Sequence, residues 1–140
     1  MLLWFGSFGK NLIDICGNRM KHRKFVIQEH TTPRGIHWDL MLESDGVLLT
    51  LRLEEPPAVA LERSIRAQKI FDHPIRFLTY EGPVQQGTGQ VRIIDRGFYQ
   101  DRVQAGKSWH LGFDGETLSG DFLLTQIEDD LWYFTCELRR

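Results

Sequence analysis

A chain of 140 residues with 41% hydrophobic and 26% charged residues has the make-up of one globular domain, which excludes disordered, collagen-like and membrane-spanning classes. Seventeen basic against nineteen acidic residues give a formal net charge of −2. That balance argues against an indiscriminate nucleic-acid binder, but not against an enzyme that handles one phosphate at a strand end.

Residues 1–19 differ in texture from the rest and are read as an N-terminal extension, with Met20-Lys21-His22-Arg23-Lys24 resembling a chain start and residues 20–140 forming the domain. The apolar run Met1-Leu2-Leu3-Trp4-Phe5 is too short to span a membrane and lacks the basic flank of a signal peptide. Cys16 and Cys136 form no CxxC pair and are too few for a secreted disulfide framework, so a reducing cytoplasm is the expected location.

Period-2 patterning dominates from residue 24 onward. Phe25 to Glu29 reads as a strand running into His30, and Thr31-Thr32-Pro33-Arg34-Gly35 as a turn. In the next strand Ile36, Trp38, Leu40 and Leu42 alternate with His37, Asp39, Met41 and Glu43, so one face is apolar and the other carries His37 beside Asp39. Ser44-Asp45-Gly46 is a hairpin turn, and Val47 to Leu53 returns as a third strand.

Residues 58–69 are rich in Ala, Leu, Glu and Arg and predict one short helix. Residues 70–80 are strand-like, with Pro74 at an edge or bulge, and further strands are expected at 90–94, 96–100, 108–113, 117–127 and 131–138. Many short strands with frequent turns predict a mainly β fold: a small closed or nearly closed β-barrel with one or two short helices.

His30, His37 and Asp39 form the strongest constellation. Side chains two apart on a strand point the same way, and His30 ends the neighbouring strand. Two imidazoles and one carboxylate leave positions open for water and substrate, a catalytic rather than a structural arrangement, and suit Mn²⁺, Zn²⁺ or Fe²⁺. An HxD pair on a solvated strand is the plainer alternative, because such short patterns recur by chance. His73, in Asp72-His73-Pro74, could bond a phosphoryl oxygen or protonate a leaving group, or be only a turn histidine. Arg34 could grip a phosphate from its turn. His110 reads as a partly buried strand histidine, and His22 as part of a solvated basic run.

Taken in order, these patterns resemble a known family. Phe25-Val26-Ile27-Gln28-Glu29-His30, Arg34-Gly35-Ile36-His37-Trp38-Asp39-Leu40-Met41-Leu42-Glu43, Asp72-His73-Pro74, Tyr80-Glu81-Gly82-Pro83-Val84 and Asp95-Arg96-Gly97-Phe98-Tyr99 look like the 3′-phosphoesterase domain of bacterial DNA ligase D. The resemblance covers roughly residues 24–138. It implies a compact β-barrel with a polar pocket and a Mn²⁺-dependent hydrolase that trims 3′ phosphates and 3′ ribonucleosides from primer ends during end-joining repair. Separate ligase or polymerase proteins would be its partners. By position His30, His37 and Asp39 match the family's metal ligands, His73 its phosphate-contacting histidine, and Glu43 a glutamate of less defined role.

Two departures stand out. The family's Asp-x-Arg-x-Glu strand reads Asp39-Leu40-Met41-Leu42-Glu43 here, without the phosphate-binding arginine, and the tyrosine four residues after the histidine is Phe77. One extra residue also separates His30 from His37. Arg34 or Arg52 are candidates to replace the lost contact. Two alternatives stay open: a degenerate, non-catalytic module that binds metal or strand ends, and a non-haem Fe²⁺ oxygenase built on His37, Asp39 and His110.

Overall fold

The computed structural model describes residues 22–137, so the expectation for residues 1–19 lies outside the described residues. Nine strands follow in chain order: β1 (Arg23–Thr32), β2 (Gly35–Ser44), β3 (Val47–Leu53), β4 (Ile65–Pro74), β5 (Gly82–Val84), β6 (Gly89–Ala105), β7 (Ser108–Asp114), β8 (Ser119–Glu128) and β9 (Leu131–Cys136). Neighbours run β1-β2-β3-β4-β9-β8-β7-β6, and β1 pairs back onto β6, so eight antiparallel strands close into a ring. Closure removes the edge strands that would otherwise template aggregation. The long β6 serves β1 along one edge, and β5 and β7 along the opposite one.

The expected mainly β architecture is what the chain adopts, but the helix predicted over 58–69 is not. Pro57–Leu61 is a single 3-10 turn, and the chain is already extended from Ile65. Ile65 and Ala67 are buried while Arg66 and Gln68 are exposed, and the strand bonds β3 on one side and β9 on the other. Sheet pairing of this kind outweighs the few tenths of a kcal/mol per residue by which Ala, Leu and Arg favour a helix, about 0.7 at most. Among the described residues the only helical pieces are three 3-10 turns. The strand read over 70–80 ends at Pro74, and Ile75–Leu78 is the second of these turns. The strands read at 90–94 and 96–100 are one strand, β6, with a bulge at Ile94.

Alternation sorts the side chains onto two faces. Phe25, Ile27, Leu40, Leu42, Leu51 and Leu53 join residues from the other strands in one apolar core. On the opposite face of β1 to β3, Val26, Met41 and Leu48 form a second, smaller cluster covered by Ile75, Phe77 and Leu78. The covering segment is pinned by buried Gln28, whose Nε2 donates to the carbonyls of Phe77 (3.0 Å) and Tyr80 (2.9 Å). The two departures, Met41 and Phe77, therefore meet in the same apolar cluster.

Candidate metal centre

The second face continues beyond that cluster to the polar ends of β1 and β2. His30 and His37 are direct cross-strand partners, with ring centroids 4.5 Å apart and planes 75° apart. Asp39 follows His37 by two residues on the same face. One ligand atom from each of His30, His37 and Asp39 lies within 4.8 Å of the other two. His30 and Asp39 are 5% and 3% exposed.

These side chains are not satisfied by one another. The Nε2 atoms of both histidines are buried with no hydrogen-bond partner among the described residues, and His37 Nε2 stands 3.7 Å from Asp39 Oδ2, beyond hydrogen-bond reach. Orphaned buried polar nitrogens are costly and call for a partner. These two nitrogens facing the Asp39 carboxylate fit a divalent cation, which would satisfy both imidazoles and leave coordination positions open.

Electrostatics agree with that fit. Burial pushes the His30 imidazole below its ordinary pKa, and the neighbouring His37 adds to the effect, so the ring is held in its neutral, ligating form. Burial pushes the Asp39 carboxyl upward, but His37 and Arg52 beside it pull harder and leave it below the usual carboxylate range. Arg52 faces Asp39 across the β2–β3 ladder, with Nε donating to Oδ1 at 3.1 Å and the second nitrogen of its fork to Oδ2 at 3.5 Å.

His73 reaches the same face through a bulge. Leu48 pairs with His73 and Thr50 with Ile70, so β4 spends one residue more than β3 over this stretch. In a regular strand Ile70 and His73, three apart, would point to opposite sides; the bulge turns both toward the face of Thr50. The imidazole stacks on the exposed Phe71 at 4.8 Å and meets Phe77 edge-on at 5.7 Å. Thr50 Oγ1 donates to the Leu48 carbonyl and lies 2.9 Å from His73 Nδ1. With the hydroxyl proton given to Leu48, Oγ1 can accept from Nδ1–H, the tautomer that leaves Nε2 to take or give a proton. Burial pushes His73 below its ordinary pKa, with Asp39 opposing and Arg52 assisting.

The remaining candidates lie apart from this cluster. Arg34 is exposed on the turn between β1 and β2, its backbone N–H donating to the Thr32 hydroxyl at 3.1 Å. Glu43 is four residues along β2 from Asp39, roughly 13 Å at strand rise, and its carboxylate accepts the Lys24 backbone N–H at 2.9 Å. His110, on β7, sits 3.0 Å from Glu137, outside the His30–His37–Asp39 group. Thr50 and Gly89 are absent from the sequence-based expectations. Gly89 lies hard against His30 Nε2, a neighbourhood that only the β1–β6 seam creates.

Comparison with known proteins adds the last observation. Residues 28–126 match the DNA ligase D 3′-phosphoesterase domain. The chain is 32% identical over 105 residues to the multifunctional non-homologous end joining protein LigD of Pseudomonas aeruginosa, covering 69% of this chain and 12% of that one. It is 38% identical over 80 residues to the protein of the same name from Mycolicibacterium smegmatis, covering 55% and 10%. Against the multifunctional non-homologous end joining DNA repair protein LigD of Mycobacterium tuberculosis it is 34% identical over 118 residues, covering 77% and 15%. The chain thus spans less than a sixth of the length of these relatives.

Proposed function

Because this chain belongs to the DNA ligase D 3′-phosphoesterase domain family, we propose that it is a metal-dependent phosphoesterase removing a 3′ phosphate or a 3′ ribonucleoside from nucleic-acid primer ends. The observation that carries this reading is the convergence of His30, His37 and Asp39 with two imidazole nitrogens left unpaired. These three would hold the cation, for which Mn²⁺ is the first choice and Zn²⁺ or Fe²⁺ the others. When bound, it supplies charge neutralisation and Lewis-acid polarisation of a phosphoryl oxygen.

The protein's own groups do the rest. A bound phosphoryl group is anionic and raises the proton affinity of His73 Nε2. The ring then donates through both nitrogens: Nδ1 to Thr50, which fixes its orientation, and Nε2 to the phosphoryl or leaving oxygen. As water forms its bond to phosphorus, the bond to the leaving oxygen breaks, P–O3′ for a terminal phosphate or P–O5′ for a terminal ribonucleoside. The His73 proton ends on the released hydroxyl, and the protons of the attacking water stay with the phosphate product or pass to solvent. Arg34, on its exposed turn, would meet the nucleic-acid backbone away from the reacting phosphate. Glu43 would contribute by fastening β1 to β2 through Lys24, not at the reacting atoms. Ligase or polymerase proteins that act on the trimmed end are the partner class.

One observation favours a second reading, a binding module without turnover: Met41 and Phe77 both belong to one apolar cluster, at positions where the family offers polar phosphate contacts. The experiment that separates the two is phosphate release from 3′-phosphate and 3′-ribonucleotide primers with Mn²⁺. Turnover that His37→Ala abolishes supports the enzyme. Metal binding without turnover on any end of the panel overturns it in favour of the module.

A further inference from the structure

Resting on the phosphoesterase reading, we propose that Arg52 is the anion-holding residue of this site, taking a phosphoryl oxygen of the substrate beside the cation. The argument begins with where the guanidinium stands. Its partner carboxylate is buried, with a side-chain exposure of 4%, whereas Arg52 is 34% exposed. The side chain therefore reaches from the buried ligand to the open side of the site. An arginine carries five N–H donors. Among the described residues its guanidinium makes two hydrogen bonds, both to Asp39, and the longer of them is 3.5 Å.

Arg76 beside this face lies over the rings of Phe77 (4.4 Å) and Tyr80 (5.5 Å). Lys24 and Arg96 share the face of Val26, at the end of β1 away from His30. Arg34 is out on its turn. Among the described residues Arg52 is the cation bonded to a member of the His30–His37–Asp39 group. Arg52 shares the face of Thr50, two residues before it on β3, and Thr50 touches His73 Nδ1, so the guanidinium is bonded to a candidate ligand and stands one strand step from the contact of the proton-carrying histidine.

Charge counting then selects the ligand. Imidazoles bind a cation in their neutral form, so two of them with one carboxylate and one guanidinium sum to zero, and a bound divalent cation leaves the site at +2, rising to +3 when His73 takes up its proton. A phosphomonoester dianion offsets twice as much of that charge as a diester monoanion. The site is matched to a terminal 3′ phosphate more closely than to an internal linkage, and the planar fork of Arg52 suits its oxygens.

The test uses the full chain loaded with Mn²⁺ and inorganic phosphate as the probe, titrated calorimetrically for the wild type, Arg52→Gln and Arg52→Lys, with Mn²⁺ affinity measured separately. Arg52→Gln should keep Mn²⁺ affinity within about threefold and lose about tenfold or more in phosphate affinity, the scale of one charge-assisted hydrogen bond. Arg52→Lys should fall between, which guards against a folding defect in the first variant. Phosphate affinity unchanged in Arg52→Gln, phosphate and Mn²⁺ affinities falling together, or no phosphate binding by the loaded wild type would each overturn the proposal. Primer turnover measured in parallel separates the two readings. Turnover with an unchanged KM in Arg52→Gln removes Arg52 and spares the phosphoesterase. Phosphate held through Arg52 without turnover does the reverse.

Discussion

Gly89 lies so close to His30 that a Cβ at residue 89 would stand 2.8 Å from the imidazole Nε2. The same atom would be 3.0 Å from Gln85 Oε1 and Val84 Cγ2, so the added methyl group is crowded on three sides. Only a residue without a side chain lets β6 pass this near to a candidate ligand. Gly89→Ala should therefore displace His30 and weaken Mn²⁺ binding by about tenfold or more, in the range for disturbing the support of a metal ligand. Calorimetric Mn²⁺ titration checks this; an unchanged affinity would show that His30 is not held where the site needs it.

Thr50 fixes which nitrogen of His73 carries the resting proton. Thr50→Val keeps the volume of this fully buried side chain but removes the acceptor for Nδ1–H. Turnover should fall about tenfold, less than the roughly 10²–10⁴-fold that a general acid contributes because the acid is misoriented and not removed, while Mn²⁺ affinity stays unchanged. A parallel loss of metal binding would mean that the bulge itself has moved.

Acid should destabilise the metal-free chain through His73. Its folded pKa is lowered, chiefly by burial, with Arg52 adding to the drop and Asp39 and Asp72 opposing it. The unfolded chain then binds more protons than the folded one, so this contribution is intact above the unfolded value, about 6.5. It is lost as pH falls from there through the lower folded value. Denaturant unfolding at a series of pH values should show stability rising with pH across that window. In His73→Gln the slope should shrink without vanishing, since His30 shifts in the same direction.

Asp95 is a clamp remote from the chemistry. Its carboxylate is 2% exposed and accepts the backbone N–H groups of Arg96, Glu116, Thr117 and Leu118. Asn keeps the shape but replaces one oxygen with a donor, leaving buried N–H groups unpaired. Asp95→Asn should cost about 3 kcal/mol of stability. At a temperature where the variant is folded, its Mn²⁺ affinity should match the wild type.

Restoring arginine at position 41 should not by itself restore a phosphate contact. Met41 is 1% exposed and packs in the Val26–Leu48 cluster. Met41→Arg forces a charge into that cluster, with an expected loss of about 3 kcal/mol or more, measured as a fall in the unfolding midpoint.

How much of this was legible without coordinates follows from the range of each interaction. The alternation of Ile36 to Glu43 placed His37 and Asp39 on one face and the apolar residues on the other, because a strand has a fixed period of two. His30 was legible because a short hairpin leaves it little choice of partner. The span 58–69 was misread because its composition favours a helix, although Ile65, Arg66, Ala67 and Gln68 already alternate. Arg52 as the partner of Asp39 needed the register of β3, His73 on the metal face needed a bulge that no local pattern announces, and Gly89 needed the seam between β1 and β6. Each of these depends on which distant strand lies alongside.

That seam also bears on how the centre comes into being. β1 meets β2 across a short turn, so His30 and His37 are brought together by a neighbouring pair of strands. β1 meets β6 only when Arg23 finds Tyr99 and Thr31 finds Gln90, far along the chain. Pairings that span so much sequence are slow, because chain freedom is surrendered before contacts compensate it. The hairpin is thus expected to present two open imidazoles to passing ions well before the wall behind them arrives. An ion held by this site would then reflect cellular supply at the moment the ring seals, as well as the preference of the mature site.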